Sequence, residues 1–131
     1  LLRIEEQLGF NKVNDFTLDD PSVGDALGLD ARKLRGAFMR LGDDAGSPVL
    51  DLVQFIEPPP QGEPYSSLNN IGICRIAFTV DDIDKTYANL QKMDVQFVAP
   101  LHKIKGPDGA EVGVVCFKDP DGTILELISG M

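Results

Sequence analysis

The sequence lacks several residues and patterns that mark large classes of protein. It contains no tryptophan, a single histidine, His102, and two cysteines, Cys74 and Cys116, in 131 residues. Two cysteines cannot build a disulfide framework, and their spacing fits no common zinc motif. Both lie in apolar runs that predict strands, so we expect buried, reduced thiols in a cytoplasmic protein.

Long apolar runs and positive charge are also scarce. No run approaches the roughly 20 apolar residues of a membrane span, and no basic segment typical of targeting opens the chain. The 12 lysines and arginines face 21 aspartates and glutamates, which gives a net charge of −9. Such a surface repels phosphate backbones and anionic lipids, so we expect neither nucleic acid nor membrane as a partner.

What remains is the composition of a globular domain, and the first half predicts a helix end followed by strands. Leu1, Ile4 and Leu8 share one helical face, and Gly9 is a helix-stopping residue. Alternating or β-branched runs predict strands at 11–17, 34–41 and 49–56. Residues 19–31, rich in Asp, Gly and Pro, predict a loop, and the polar, proline-bearing stretch 57–70 predicts a linker.

The second half has stronger signals. We expect a strand at 74–80, then a helix capped by Asp81 and running to about Met93. Further strands are predicted at 95–98, 111–117 and 124–128. The Asp119–Gly122 segment, Asp-Pro-Asp-Gly, predicts a tight turn, because proline suits its first corner and glycine accepts a positive φ.

The two halves form an internal repeat. The order strand, helix and three strands is complete in 71–131, and 1–56 shows the same order without its opening strand. We therefore predict two modules at 1–56 and 71–131, joined by the linker 57–70. Because the sequence starts at Leu1 rather than Met, we expect upstream residues to supply the missing strand.

An acidic residue occupies the same place in the last strand of each half. Glu126 stands between two leucines, and so does Asp51. Burying an ionised carboxylate without a partner costs several kcal/mol or more. Alternation leaves two interpretations open: both carboxylates face a polar cleft, or both face bulk solvent on an exposed side of a sheet.

Three segments resemble the vicinal oxygen chelate superfamily, which includes glyoxalases, bleomycin resistance proteins and extradiol dioxygenases. They are Gly72–Asp84, Phe117–Leu127 with its Asp-Pro-Asp-Gly turn, and Leu8-Gly9-Phe10. The resemblance implies an α+β fold in which two βαβββ modules pair to form a U-shaped cleft. By strand parity, the ligand-binding residues expected in that cleft are Asp51, Val53, Phe55, Arg75, Ala77, Thr79 and Glu126.

The resemblance also implies a divalent metal ion, held by the opening and closing strands of both modules. Glu126 matches the closing ligand of the second module, and Asp51 falls on the corresponding position of the first. The opening position of the second module, often histidine, is Arg75 here. A guanidinium has no lone pair and repels cations. We therefore hypothesise an Arg–carboxylate cluster instead of a metal and expect no cofactor; the alternative is Zn, Ni, Fe, Mn or Mg held by Glu126 and Asp51.

Three functions remain open. The first is binding of a small organic molecule in the cleft without the metal, as in bleomycin resistance proteins. The second is a lyase, isomerase or dioxygenase acting on vicinal oxygens, with Glu126 as ligand or base and Arg75 stabilising an oxyanion. The third is a degenerate structural or dimerisation module. A homodimer is expected because relatives commonly form one, and His102 is expected in an exposed loop.

Overall fold

The computed structural model describes the backbone of residues 2–130, and the side chains of all of these except residues 2, 3 and 5. Leu1, which we assigned to the first helix, lies outside the described residues. The helices in this range are α1 Leu2–Gln7, α2 Ser22–Leu27 and α3 Ile83–Gln91. The strands are β1 Phe10–Asp19, β2 Lys33–Leu41, β3 Val49–Glu57, β4 Arg75–Thr79, β5 Gln96–Phe97, β6 His102–Lys105, β7 Glu111–Lys118 and β8 Ile124–Ser129.

The chain divides into two compact units. One is Gly9–Gly62, and the other combines Leu1–Leu8 with Glu63–Met131. Helix α1 packs with the second half because its Ile4 is buried among the apolar side chains around α3, including Ile83 and Leu90. The predicted modules 1–56 and 71–131 describe the sequence repeat, and they stay a prediction.

In the unit Gly9–Gly62, three antiparallel strands lie in the order β1-β2-β3. A register shift between Lys12 and Asn14 marks a bulge in β1. The three predicted strands are present, each extended by one to three residues.

The predicted loop 19–31 is wrong in part, because it contains the helix α2. Its Asp-, Gly- and Pro-rich composition concealed a short helix that ends at Gly28 in the left-handed conformation. Gly24 lets this helix lie close to the following chain, since a Cβ there would overlap the carbonyl oxygens of Leu29 and Ala31.

The second unit contains a five-stranded sheet in the order β4-β8-β7-β5, with β6 also paired to β7. β4 runs parallel to β8, and the other pairs are antiparallel. Helix α3 packs on one face of this sheet. The buried core there consists of Ile4, Ile83, Leu90, Val115, Phe117, Leu125 and Leu127. The predicted α+β class is confirmed, and the predicted strand, helix and three strands are all present in this half, with β6 as an additional strand between β5 and β7.

Two local predictions in the second unit need correction. The N-cap of α3 is Asp82 rather than Asp81, because the Asp82 side chain accepts a hydrogen bond from the backbone N–H of Lys85 at 2.9 Å. His102 is exposed as expected but begins strand β6 instead of lying in a loop. Its neighbour Lys103 pairs with Asp84 at 2.8 Å, which ties β6 to the first turn of α3.

None of the helices between residues 2 and 130 has the length and apolar content needed to cross a bilayer.

Candidate functional site

The turn Asp119–Gly122 sets the register that builds the candidate site. The Oδ1 atom of Asp119 accepts hydrogen bonds from the backbone N–H groups of Asp121 at 2.9 Å and Thr123 at 2.8 Å. Gly122 has φ 92°, which a side chain would disfavour. β8 therefore returns along β7 with Cys116 directly opposite Glu126.

Glu126 lies on the sheet face away from α3. Its neighbours Leu125 and Leu127 belong to the core beneath the helix, and strand alternation sends Glu126 to the other side. The residue is nevertheless only 8% exposed. This excludes the interpretation that Glu126 faces bulk solvent, and a buried carboxylate of this kind needs a partner.

Arg75 supplies that partner. Its Nε atom lies 3.0 Å from Oε2 of Glu126. β4 is parallel to β8 with Arg75 opposite Ile124 and Ala77 opposite Glu126, so the arginine reaches its carboxylate diagonally across the pair. The Arg75 side chain is 46% exposed, which leaves much of the guanidinium accessible from solvent.

Cys116 is the third member of the cluster. Its thiol donates to Oε2 of Glu126 at 3.4 Å, the same oxygen that faces Arg75. Burial raises the pKa of the Cys116 thiol to about 11, and the hydrogen bond and negative charge of Glu126 add to the effect. The thiol is therefore protonated at neutral pH and acts as a hydrogen-bond donor, not as a nucleophile.

The side chains around Glu126 do not fit a divalent metal ion. A cation on Oε2 would lie a few ångströms from the guanidinium of Arg75. A protonated thiol is also a poor metal ligand, because the thiolate is the binding form. Among residues 2–130, no three His, Cys, Asp or Glu side chains are close enough to one another to hold a metal.

The other predicted site residues divide between the two units. Ala77 and Thr79 are exposed on β4 and share the face of Arg75 and Glu126, as predicted from parity. Asp51, Val53 and Phe55 share one face of β3 in the unit Gly9–Gly62, where Asp51 lies opposite Phe38. The convergence of Asp51 with Arg75 and Glu126 in one cleft stays a prediction.

His102 lies near this face of the five-stranded sheet, because it pairs with Val114, two residues from Cys116 on β7. Its Nδ1 is 2.7 Å from the carbonyl oxygen of Pro100. A carbonyl oxygen can only accept, so Nδ1 carries a proton in this contact.

The sequence analysis missed two residues of interest. Cys116 was interpreted only as a buried thiol, although counting back from the turn at Asp119–Gly122 places it opposite Glu126. Arg40 was not proposed for any site, yet its Nε is buried without a hydrogen-bond partner in the described part of the chain. Parity shows that Arg40 shares a face with Phe38 and Asp51, but no sequence pattern shows that its Nε is buried.

The comparisons with known proteins agree on one family. The model of the Glyoxalase/Bleomycin resistance protein/Dioxygenase superfamily matches residues 5–127. Among solved structures, the chain is similar to a glyoxalase family protein from Bacillus cereus, with 22% identity, a TM-score of 0.79, and coverage of 95% of this chain and 80% of that one.

Two further solved structures share the fold. A glyoxalase family protein from Enterococcus faecalis has 23% identity, a TM-score of 0.59, and coverage of 94% of this chain and 80% of that one. The trypanothione-dependent glyoxalase I of Leishmania major has 23% identity, a TM-score of 0.58, and coverage of 95% and 71%. A comparison with curated protein sequences gives no significant match.

At these identities the structural likeness shows the fold, while the family model spans nearly the whole chain and confirms the resemblance found in the sequence. The protein therefore belongs to the Glyoxalase/Bleomycin resistance protein/Dioxygenase superfamily.

Proposed function

We propose that the protein binds a small organic molecule on the Glu126 face of its five-stranded sheet, and that it does so without a metal ion. The observation that carries the proposal is the ion pair between Arg75 Nε and Glu126 Oε2, 3.0 Å long. It places a positive side chain against the carboxylate that the family resemblance assigns to a metal.

The ion pair offers two kinds of contact to a ligand. A guanidinium has five N–H donors, and the partial exposure of Arg75 leaves some of them for an oxygen of the ligand. The thiol of Cys116 donates to Oε2 of Glu126, which is the oxygen that Arg75 also faces. Glu126 is therefore held in one orientation. A preorganised polar pair beside exposed apolar β4 residues such as Ala77 suits a ligand that is mostly apolar with one or two polar groups.

The same residues support binding without conversion. The cluster contains no ionised thiol, since the pKa of Cys116 is raised to about 11. It also has no place for a Lewis acid beside Glu126, because Arg75 takes that position. His102, the single histidine of the sequence, lies on β6, and β7 separates this strand from β8, which carries Glu126.

A thermal-shift screen tests the proposal. We expect the melting temperature to rise with at least one small organic molecule from a chemically mixed panel, and to stay unchanged with Ni²⁺ or Zn²⁺. The bound compound should be recovered unaltered by mass spectrometry.

Variants of the ion pair make the screen specific. Arg75→Met and Glu126→Gln should abolish the ligand-induced shift, whereas Lys33→Met, which breaks an exposed ion pair with Asp19 in the other unit, should preserve it. A response to metals alone, or ligand-induced shifts that survive both site variants, would refute the proposed function.

A further inference from the structure

A second polar feature lies on the three-stranded sheet of the unit Gly9–Gly62. Arg40, near the end of β2, has a buried Nε with no hydrogen-bond partner among the described residues. A guanidinium can donate but cannot accept, and an unmet N–H on a charged group is unfavourable when it is buried. The Nε itself is closed to solvent, so a ligand would meet the terminal nitrogens of this partly buried guanidinium, for which the best acceptor is an anionic oxygen.

Aromatic side chains lie beside Arg40 on the same face. Phe38 is two residues before it on β2, and both side chains are partly buried. The ring of Phe16 lies over Gly36, where any Cβ would overlap it, and its centroid is 5.2 Å from that of Phe38. Glycine at position 36 therefore makes room for an aromatic pair next to the arginine.

We infer that this surface, formed by Phe16, Phe38 and Arg40, binds a small aromatic carboxylate. Side chains two residues apart on a strand are separated by about 7 Å. A benzoate ring lying on Phe38 spans about that distance when its carboxylate meets the guanidinium of Arg40. The inference goes beyond the proposed function, because it assigns a second ligand to the unit Gly9–Gly62 alone.

The charges nearby make the site selective. The protein carries a net charge of −9, so anions in general are repelled. Asp51, exposed on β3 opposite Phe38, adds a negative charge to this face. A small inorganic anion gains only the contact with Arg40, whereas an aromatic carboxylate gains the apolar contact with the two rings as well.

The test uses benzoate as the probe and the full chain labelled with ¹⁵N. We expect saturable shifts of the backbone amide signals of β2 around Phe38 and Arg40. Benzamide, the neutral analogue, and acetate, which has no ring, should give no saturable shifts. Arg40→Gln should weaken benzoate binding about tenfold or more, as expected when a charge-assisted pair is lost.

Arg35 provides a matched control on the same strand. It lies on the opposite face, where it donates to Asp15 at 3.1 and 2.8 Å, so Arg35→Gln should leave benzoate binding unchanged. If Arg40→Gln fails to fold, Arg40→Lys keeps the charge but not the planar fork and should still weaken binding.

Equal binding of benzamide, equal effects of the Arg40 and Arg35 variants, or no binding of benzoate would overturn the inference. The outcome is separable from that of the ligand screen. Arg40-dependent benzoate binding with no Arg75- or Glu126-dependent ligand would support this site alone. The reverse would support the proposed function alone.

Discussion

The ion pair with Arg75 stabilises the buried carboxylate of Glu126 in the folded protein. A carboxylate that is only 8% exposed would lose its ion-pair partner in Arg75→Met and keep only the weak thiol donor of Cys116, and a poorly satisfied buried group of this kind costs about 1–3 kcal/mol. We expect Arg75→Met to lower the free energy of unfolding by that amount in urea titrations. Removing the carboxylate as well, in Arg75→Met/Glu126→Leu, should restore most of the loss.

The control for that measurement is an exposed pair. Lys33 and Asp19 are 3.1 Å apart, with side chains 38% and 70% exposed, and such pairs contribute less than about 1 kcal/mol. Finding Arg75→Met no more costly than Lys33→Met would show that Glu126 does not need its arginine.

Cys116 makes stability depend on alkaline pH. Its pKa is about 11 in the folded protein against an ordinary value of 9.0. Above pH 9 the unfolded chain releases the thiol proton while the folded chain retains it, so this contribution is complete below pH 9 and is lost as pH rises toward 11. The free energy of unfolding should therefore fall over that range.

The alkaline fall should be smaller in Cys116→Ala. Cys74→Ala, which removes a thiol that donates to the carbonyl of Asn70, is the control and should keep the wild-type slope. Identical pH profiles for the two alanine variants would contradict the raised pKa of the Cys116 thiol in the folded protein.

At the scale of elements, an ion pair between Arg35 and Asp15 links β2 to β1. Arg35, with help from Lys12, lowers the pKa of Asp15 to about 2 from 3.8. This stabilisation is present above pH 3.8 and is lost as pH falls toward 2. We expect the Asp15→Asn variant to lack this acid-dependent part of the free energy of unfolding, which is measured by following acid unfolding with circular dichroism. Asp19→Asn on the same strand should leave it in place, and an unchanged acid profile in Asp15→Asn would contradict the assignment.

Helix α2 depends on Gly24. Alanine normally favours a helix over glycine by about 1 kcal/mol, but here its Cβ would overlap two backbone oxygens of the following chain. Gly24→Ala should therefore lower the melting temperature, with overpacking costing about 1–3 kcal/mol. Gly46→Ala, where a Cβ makes only ordinary contact with Asp44 at 3.6 Å, is the control. A more stable Gly24→Ala variant would show that α2 can move.

Most strands could be predicted because alternation and β-branched residues are local signals. The strand predicted at 49–56 is observed as β3 at Val49–Glu57. The two missed elements, α2 and β6, are only six and four residues long. Their sequences are rich in polar, glycine or lysine residues, and they depend on neighbours: α2 on the close approach at Gly24, β6 on its pairing with β7. Tertiary contacts of this kind leave no periodic pattern.

The candidate site, like the fold, could be predicted from the sequence only in part. Strand parity placed Arg75, Ala77, Thr79 and Glu126 on a common face, and the structure brings Arg75 to Glu126. Parity could not decide whether that face is buried, because burial is set by segments far away in the sequence. The same limit hid the buried Nε of Arg40.

At the scale of the whole molecule, both the family and the net charge of −9 lead to the expectation that cations bind. An acidic protein attracts them in general, and the family resemblance implies a divalent metal ion. The local geometry opposes both, since Arg75 lies against the one buried glutamate in the described chain. The central claim is thus that an arginine–carboxylate pair takes the place of the metal.

Elemental analysis of the purified protein, after incubation with Ni²⁺ or Zn²⁺ and removal of free metal by gel filtration, tests this claim most directly. We predict bound metal far below one equivalent per chain, and the same value for Glu126→Gln. One equivalent of tightly held metal that disappears in Glu126→Gln would contradict the account.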